Sequence, residues 1–217
     1  MIPKLQVALD NTSTAEALAS LRQYVDMIDV IEVGTILHVA EGVSPVRILR
    51  ALYPEKIILA DIKGADAGSI LAKQCYDAGA TWMTAICSAD VETMRGMKEE
   101  AQNYEDSKDV QIELYGDWTF ELAQQWLDAG LKQVVYHRSR DAEASGKGWS
   151  SEDVEKVKKL SEMGFKVTIT GGLKIEDLKL FKSIDIYCVI AGRSIRDASN
   201  PLQAAQNFKD EIKRLWS

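Results

Sequence analysis

The sequence predicts a single (β/α)8 barrel, the TIM barrel fold class, over residues 1–217. Eight short runs rich in β-branched residues alternate with amphipathic stretches from one end of the chain to the other. Strict alternation of this kind predicts a parallel sheet whose strands are joined by right-handed helical crossovers. A chain of 217 residues has room for eight compact units, and no linker, low-complexity segment or charge block divides it.

The predicted strands and helices follow one another in a regular order. The strands are Leu5–Asp10, Met27–Val33, Lys56–Asp61, Trp82–Ile86, Val110–Leu114, Gln133–His137, Lys166–Thr170 and Ile186–Ala191. The helices are Thr14–Tyr24, Pro45–Leu52, Ala67–Ala78, Val91–Asn103, Phe120–Ala129, Ser151–Met163, Ile175–Phe181 and Pro201–Trp216. Helix signals support these boundaries, because Ser150 and Asp153 form a capping pattern and Gly79, Gly130 and Gly164 come just after helix ends.

A doubly wound open sheet is the alternative architecture. Its dinucleotide-binding form needs a glycine-rich turn between the first strand and the first helix. The corresponding turn here, Asp10–Ser13, contains no glycine. The closed barrel is therefore favoured.

Composition excludes several classes of protein. The net charge of −7 and the pI near 5.0 argue against a nucleic-acid partner, but they are compatible with a local basic pocket for a phosphate. No apolar run approaches the ~20 residues of a membrane span. Because the chain opens without a charged and then apolar leader, we expect a cytoplasmic protein with no membrane partner. The widely spaced Cys75, Cys87 and Cys188 predict buried free thiols.

Polar residues stand at seven of the eight predicted strand ends. In a barrel of this class, the chemistry takes place at the carboxyl ends of the strands. The residues at or just after those ends are Asp10, Glu32, Asp61 with Lys63, Glu113, His137 with Arg140, Thr170, and Gly192 with Arg193. This convergence of charged groups on one rim predicts a catalytic site rather than a scaffold.

The segment Asp61–Asp66 is the sharpest local signal. Along an extended strand end, residues 61 and 63 point to the same side, and we expect Asp66 in the first turn of the next helix, where its charge suits the helix dipole. Lys63 would then be held cationic between carboxylates, placed to stabilise a developing anion or to deliver a proton. The alternative is a strand-end ion pair with a helix cap.

Glu32 ends a largely apolar strand, where a lone buried carboxylate is costly unless it is paired or bound to metal. Together with Asp61 on the neighbouring strand it makes a two-carboxylate site. Such a site suits Mg²⁺, which prefers oxygen ligands and keeps several waters. The alternative is an ion pair between Glu32 and Lys63.

The loops Thr170–Gly172 and Ala191–Ser194 follow strands 7 and 8, where barrels of this class commonly hold phosphate. Their glycines let backbone N–H groups approach an anion, and Arg193 adds charge-assisted hydrogen bonds. Both loops favour a phosphorylated small substrate. His137 lies at the rim and suits proton transfer near neutral pH, whereas His38, beyond strand 2, is expected to be a structural or loop residue.

Two sets of residues carry a family resemblance. Asp61, Lys63 and Asp66 form an aspartate-x-lysine-x-x-aspartate pattern, and Asp10 ends strand 1. In these features the chain resembles the orotidine monophosphate decarboxylase suprafamily. Within it, the chain is similar to the 3-keto-L-gulonate 6-phosphate decarboxylases over nearly its whole length. The discriminating stretches are Ile31–Thr35, Val110–Leu114, Val135–Ala142, Thr170–Leu173 and Ala191–Asp197.

The resemblance implies Mg²⁺-dependent decarboxylation of 3-keto-L-gulonate 6-phosphate to L-xylulose 5-phosphate and CO₂, through an enediolate, in L-ascorbate catabolism. The implied roles are Mg²⁺ ligation by Glu32 and Asp61, substrate binding by Asp10, Thr170, Gly172, Gly192 and Arg193, enediolate support by Lys63 and Asp66, and protonation by Glu113, His137 and Arg140. A homodimer is also implied, in which Asp66 reaches into the partner's site beside its Lys63.

Two alternative functions remain open at this point. A hexulose-6-phosphate synthase is an aldolase with a similar metal site, but we do not expect Glu113 or Arg140 in its pattern. A non-catalytic sugar-phosphate-binding barrel would not need so complete a charged rim. One local departure from the family pattern is the acidic loop Tyr115–Trp118, which concerns the loop's substrate contacts and leaves Glu113 intact.

Overall fold

Eight parallel strands close into a barrel in the order in which they occur along the chain. The computed structural model describes residues 1–104, 108–138 and 148–217. The strands are β1 (Lys4–Leu9), β2 (Val30–Val33), β3 (Ile57–Gly64), β4 (Trp82–Ile86), β5 (Asp109–Leu114), β6 (Gln133–His137), β7 (Lys166–Thr170) and β8 (Ile186–Ile190). Parallel pairing of β1 with β8 closes the barrel. The predicted fold class is confirmed, and the open sheet is wrong.

Helices connect successive strands and surround the barrel. They are α1 (Thr14–Leu21), α2 (Thr35–Glu41), α3 (Ser44–Leu52), α4 (Gly68–Asp77), α5 (Val91–Ala101), α6 (Phe120–Asp128), α7 (Ser151–Glu162), α8 (Arg193–Arg196) and α9 (Pro201–Trp216). Two 3₁₀ helices cover Val25–Met27 and Ile175–Phe181. The segment predicted as the seventh helix is therefore a 3₁₀ helix.

The structure contains a short helix, α2, that the sequence pattern did not predict. Its first five residues include the β-branched Thr35, Ile36 and Val39, which are weak helix formers. His38 lies on this helix, and its Nδ1 is 3.0 Å from the carbonyl oxygen of Gly42. Burial lowers the pKa of His38. These contacts support a structural role for His38, although on a helix rather than in a loop.

The capping signals read from the sequence are confirmed. Ser150 Oγ accepts a hydrogen bond from the Asp153 N–H (3.1 Å), and Asp153 Oδ2 accepts one from the Ser150 N–H (2.8 Å). Gly79, Gly130 and Gly164 have φ values of 98°, 80° and 98°. Each adopts the left-handed conformation that ends a helix at low cost for glycine.

Strand β3 is longer and less regular than the sequence predicts. Its register with β4 shifts between Ala60 and Gly64, which marks a bulge. Within the bulge, Lys63 has a φ of 48°, an uncommon conformation for a residue with a Cβ. The Lys63 N–H is satisfied by Thr84 Oγ1 at 2.9 Å. The bulge therefore carries Lys63 to the rim without leaving its backbone unpaired.

The expectation that Asp66 lies in the first turn of a helix is wrong. Helix α4 begins at Gly68, and Ala67 before it has a φ of 51°. Asp66 is exposed in the preceding loop, where its Oδ1 accepts the N–H of Ala67 at 2.7 Å. It supports the loop rather than the helix dipole.

The largest core lies between the strands and the surrounding helices, and a smaller one fills the barrel. The inner cluster consists of Val30, Leu59, Trp82 and Cys188. Nearer the carboxyl ends, Ala8, Val135 and Ile190 form a separate apolar layer. Cys75, Cys87 and Cys188 are buried free thiols, as predicted. Within the described ranges, no helix has the length and apolar character needed to cross a membrane.

Candidate active site

A cavity of about 430 Å³ opens at the carboxyl ends of the strands. It is lined by residues on or just after every strand except β4. The predicted site residues that line it are Asp10, Glu32, Asp61, Lys63, Glu113, His137, Thr170, Gly172, Gly192 and Arg193. The fold thus brings into one place groups that lie far apart in the sequence.

Two predicted site residues are not among those that line the cavity. Asp66 is exposed on the loop before α4 and is absent from the lining. Arg140 lies outside the described residues. The roles expected for these two residues stay predictions, as do those of the residues that line the cavity.

Lys63 is the centre of the charged part of the site. Its Nζ lies 2.6 Å from Asp61 Oδ2 and 2.8 Å from Glu113 Oε2, and it donates to Thr35 Oγ1 at 2.8 Å. Burial alone would lower the pKa of Lys63. The two carboxylates outweigh this effect and raise the pKa above its ordinary value. The lysine is held cationic between carboxylates as expected, but the second carboxylate is Glu113 and not Asp66.

Asp61 is buried beneath Lys63 and accepts several hydrogen bonds. The Thr35 hydroxyl donates to Oδ2 at 2.6 Å, and the Thr84 hydroxyl donates to Oδ1 at 2.8 Å. Burial disfavours the charged form, but the Lys63 ammonium and these hydrogen bonds outweigh it and lower the pKa of Asp61. Asp61 is thus an ionised, firmly oriented carboxylate.

Glu32 has the opposite electrostatic environment. Its Oε2 accepts a hydrogen bond from Gln6 Nε2 at 2.6 Å. Burial, followed by the repulsion of Asp61 and Asp10, raises the pKa of Glu32 well above its ordinary value. The ion pairs of Lys63 in the described chain are with Asp61 and Glu113, so the alternative in which Glu32 pairs with Lys63 is wrong.

The crowding of carboxylates around Glu32 fits a divalent cation. Glu32 and Asp61 are 7% and 4% exposed, and their mutual repulsion would be relieved by a positive charge between them. In the part of the chain described here, no three His, Cys, Asp or Glu side chains form a metal cluster. Mg²⁺ commonly uses only one or two protein carboxylates, so the two present are a sufficient donor set.

His137 is oriented by its neighbour on β5. Its Nδ1 lies 2.7 Å from Glu113 Oε1, and Glu113 in turn contacts Lys63. Tyr115 completes this cluster, because its Oη lies 2.6 Å from the same ring nitrogen and 3.4 Å from Glu113 Oε1. A continuous chain of contacts therefore links Asp61, Lys63, Glu113 and His137.

The loops after β7 and β8 form the other part of the rim. Gly171 and Gly172 have φ values of 108° and 63°, and a Cβ on Gly171 would clash with the carbonyl oxygen of Arg138. The Ser194 hydroxyl donates to the carbonyl oxygen of Leu173 at 2.6 Å, which ties the two loops together. Residues 170–173 and 192–194 of these loops line the cavity where the sequence predicts phosphate binding.

Sequence reasoning missed the residues that hold the charged groups in place. They are Gln6, Thr35, Thr84 and Tyr115. Thr35 and Tyr115 line the cavity directly, and Gln6 and Thr84 are buried behind it. A polar residue inside an apolar strand, such as Gln6 or Thr84, was the available signal.

Comparison with known proteins agrees with this geometry. Residues 3–208 match the orotidine 5'-phosphate decarboxylase / HUMPS family. The chain belongs to this family. It is 57% identical over 215 residues to 3-keto-L-gulonate-6-phosphate decarboxylase UlaD from Escherichia coli, covering 99% of each chain. The resemblance read from the sequence is confirmed.

Solved structures of two related enzymes superpose on this chain. A crystal structure of KGPDC from Streptococcus mutans superposes with a TM-score of 0.98, at 49% identity and full coverage of both chains. A 3-hexulose-6-phosphate synthase from Salmonella typhimurium superposes with a TM-score of 0.89 at 28% identity, covering 97% of this chain and 99% of its own. The backbone is shared by both groups, and the sequence lies nearer the decarboxylases.

Proposed function

We propose that this protein is a carboxy-lyase that converts 3-keto-L-gulonate 6-phosphate to L-xylulose 5-phosphate and CO₂ in L-ascorbate catabolism. The observation that carries the proposal is Lys63 held between Asp61 and Glu113, with His137 on the far side of Glu113. This arrangement combines a fixed cation with a proton donor in one cavity. The 57% identity to a decarboxylase of that name supports the same substrate.

The substrate is bound at two ends. Thr170, Gly172, Gly192 and Arg193 bind the phosphate through a hydroxyl, backbone N–H groups and a guanidinium, and Asp10 accepts hydrogen bonds from sugar hydroxyls. Fixing both ends positions the carboxylate that leaves against the charged part of the cavity.

Cleavage of the carbon–carboxylate bond moves its electron pair toward the neighbouring ketone and produces an enediolate with release of CO₂. The Lys63 ammonium stabilises the developing negative charge, because it is already oriented by two carboxylates and needs no reorganisation during the reaction. His137, held by Glu113, then delivers a proton to the carbon that lost CO₂. Arg140 is assigned to the same protonation step.

Glu32 and Asp61 would hold a Mg²⁺ ion. When bound, Mg²⁺ supplies Lewis-acid stabilisation of negative charge on substrate oxygen atoms. The support for this assignment is the repulsion between the buried carboxylates, together with their position on neighbouring strands at the floor of the cavity.

The proposal includes a homodimer whose sites are shared. Asp66 is exposed beyond its own cavity, so it is available to a second chain. The helices that follow β2 and β3 carry apolar side chains on the surface, with Ile36, Val39 and Ile70 exposed by 40%, 84% and 62%. A two-fold interface that covers the Asp66 loop and the helix that follows it would bury exposed apolar side chains of this kind. Residues 1–217 would act as one catalytic domain, and the cytoplasmic location stays a prediction.

The experiment that tests the function is an assay of CO₂ release from 3-keto-L-gulonate 6-phosphate. EDTA is expected to abolish the release, and excess Mg²⁺ is expected to restore it. Full activity after chelation would contradict the metal assignment. Aldol activity without CO₂ release would instead favour the hexulose-6-phosphate synthase reaction.

A further inference from the structure

Tyr115 contacts both members of the proton-delivery pair, although its loop departs from the family pattern. It follows β5 directly, and its side chain lines the cavity. The Oη atom lies 2.6 Å from His137 Nδ1, 3.3 Å from His137 Nε2 and 3.4 Å from Glu113 Oε1. The two rings also pack against each other, with their centroids 4.5 Å apart and their planes at 36°.

The backbone of Tyr115 is fixed, so these contacts do not depend on a loosely held residue. Its N–H donates to Cys87 Sγ at 3.4 Å, and the Cys87 thiol donates to its carbonyl oxygen at 3.2 Å. Cys87 is itself buried just after the neighbouring strand β4. Tyr115 is thus held from behind while its ring faces the cavity.

The charges around this cluster decide which atoms donate. The Lys63 ammonium lies 2.8 Å from Glu113 Oε2, so Glu113 acts as an acceptor, and His137 Nδ1–H donates to Oε1. Burial and the nearby carboxylates raise the pKa of Tyr115 far above its ordinary value, so its hydroxyl keeps its proton. That proton goes to Glu113 Oε1, the same oxygen that accepts the Nδ1–H of His137, while the phenol oxygen lies beside the ring and out of line with the Nδ1–H bond.

We propose that Tyr115 is a positioning residue whose hydroxyl holds the Glu113 carboxylate as the acceptor of the His137 Nδ1–H, and whose ring holds the imidazole in one plane. With Nδ1–H engaged by Glu113, Nε2 is the ring atom that takes up a proton from solvent and passes it to the carbon that lost CO₂. This inference rests on the proposed function for its catalytic consequence but not for its structural content. Tyr115 acts through His137 and needs no contact with the reacting carbon.

The structural part is tested by ¹⁵N NMR of the imidazole rings in the free, metal-loaded enzyme. The chain has two histidines, so a His38→Asn variant assigns the remaining signals to His137. We expect the wild type to hold the Nδ1–H tautomer, and we expect Tyr115→Phe, which keeps the ring but removes the hydroxyl, to show a mixture of both tautomers. Tyr136→Phe is the matched control, because the Tyr136 hydroxyl donates to Asp153 instead.

The catalytic part is tested by steady-state kinetics of CO₂ release. Tyr115→Phe is expected to lower kcat about 5- to 20-fold with KM within about twofold, a fraction of the effect of a full acid–base group. Circular dichroism checks that the variant is folded. An unchanged tautomer pattern in Tyr115→Phe overturns the proposal, and so does a rise in KM at constant kcat, which would make Tyr115 a substrate contact. If the wild type releases no CO₂, the proposed function fails, whereas the tautomer measurement still decides the role of Tyr115.

Discussion

The two sides of the rim are built by different means. On one side, around β3, β5 and β6, the polar atoms are side chains joined by short contacts, from Asp61 through Lys63 and Glu113 to His137. On the other side, after β7 and β8, the cavity is lined by two glycine-containing loops, and Gly171 and Gly172 in the first of them have positive φ. The strands β3 and β7 stand opposite each other in the closed barrel.

The two sides differ in the way that their proposed roles in the reaction require. Stabilising a charge that exists only during the reaction requires groups that are oriented beforehand, which the contacts of Lys63 provide. Holding a phosphate, whose charge stays the same throughout, requires only close approach of N–H groups and a cation such as Arg193. Substitutions on the side around β3, β5 and β6, the side-chain half, should therefore lower kcat. Substitutions on the side after β7 and β8, the loop half, should raise KM.

The largest effect is expected from Lys63→Ala. Loss of the fixed cation should lower kcat at least about 100- to 1000-fold, because one preorganised charged group is typically worth that much to a transition state. Lys73→Ala is the matched control, since that lysine is 62% exposed and pairs only with Asp77 among the described ion pairs. Measured kcat values for the two folded variants test the prediction. Similar small losses of kcat in both variants would show that Lys63 takes no part in the chemical step.

The charged side of the rim is expected to be complete only when two chains pair. Asp66→Ala should be nearly inactive, as should Lys63→Ala, because each site would need both residues from different subunits. Refolding a 1:1 mixture should then restore about a quarter of wild-type activity, since half of the dimers are mixed and each has one intact site. If the mixture stays as inactive as its parents, Asp66 acts within its own subunit or not at all.

The sequence predicts some parts of this site better than others. The strand ends were predicted to within a few residues, because β-branched runs and glycine stops are local signals. The glycine loops were predicted for the same reason. The second carboxylate beside Lys63 was not predicted, since Asp66 is three residues away in the chain whereas Glu113 is brought beside Lys63 only when β5 takes its place in the barrel.

The bulge in β3 shows a second limit of prediction from the sequence. Alternation along a regular strand predicted the side on which Lys63 lies, and the 2.6 Å contact with Asp61 confirms it. Alternation could not predict the positive φ of Lys63 or the role of Thr84, because both depend on the register shift between β3 and β4. Tyr115 was missed for the same kind of reason, since its partner His137 lies on the next strand.

A smaller effect, on KM alone, is expected from Arg193→Ala. A charge-assisted hydrogen bond contributes about 1.5–3 kcal/mol, which corresponds to a rise in KM of about 10- to 150-fold. We expect kcat to stay within about threefold, because the phosphate interaction is the same in the ground and transition states. Arg95→Ala serves as the control, since that arginine pairs with Glu92 on the outer helix α5. A fall in kcat at constant KM would break the distinction between the two halves.

The smallest expected effect is a gain in stability from Glu32→Gln in the metal-free protein. Burial and the repulsion of Asp61 and Asp10 raise the pKa of Glu32 in the folded state above the ordinary value of 4.5. Stability linked to this group is therefore fully present below that value and is lost as the pH rises through the folded-state pKa. The loss in the wild type therefore grows as the pH rises, whereas the neutral glutamine carries none.

Thermal unfolding in EDTA measures this gain. Glu32→Gln should melt a few degrees above the wild type at pH 8, since each 1 kcal/mol corresponds to about 2–4 °C in a chain of this size. The difference should shrink as the pH falls toward 4.5, and Glu92→Gln, an exposed control on α5, should show no such trend. Added Mg²⁺ should raise the melting temperature of the wild type but not that of Glu32→Gln, because a ligand stabilises only the form that binds it. If Glu32→Gln melts below the wild type at pH 8 in EDTA, the Glu32 carboxylate stabilises the folded protein without metal. The prediction that burying it costs stability until metal binds would then be wrong.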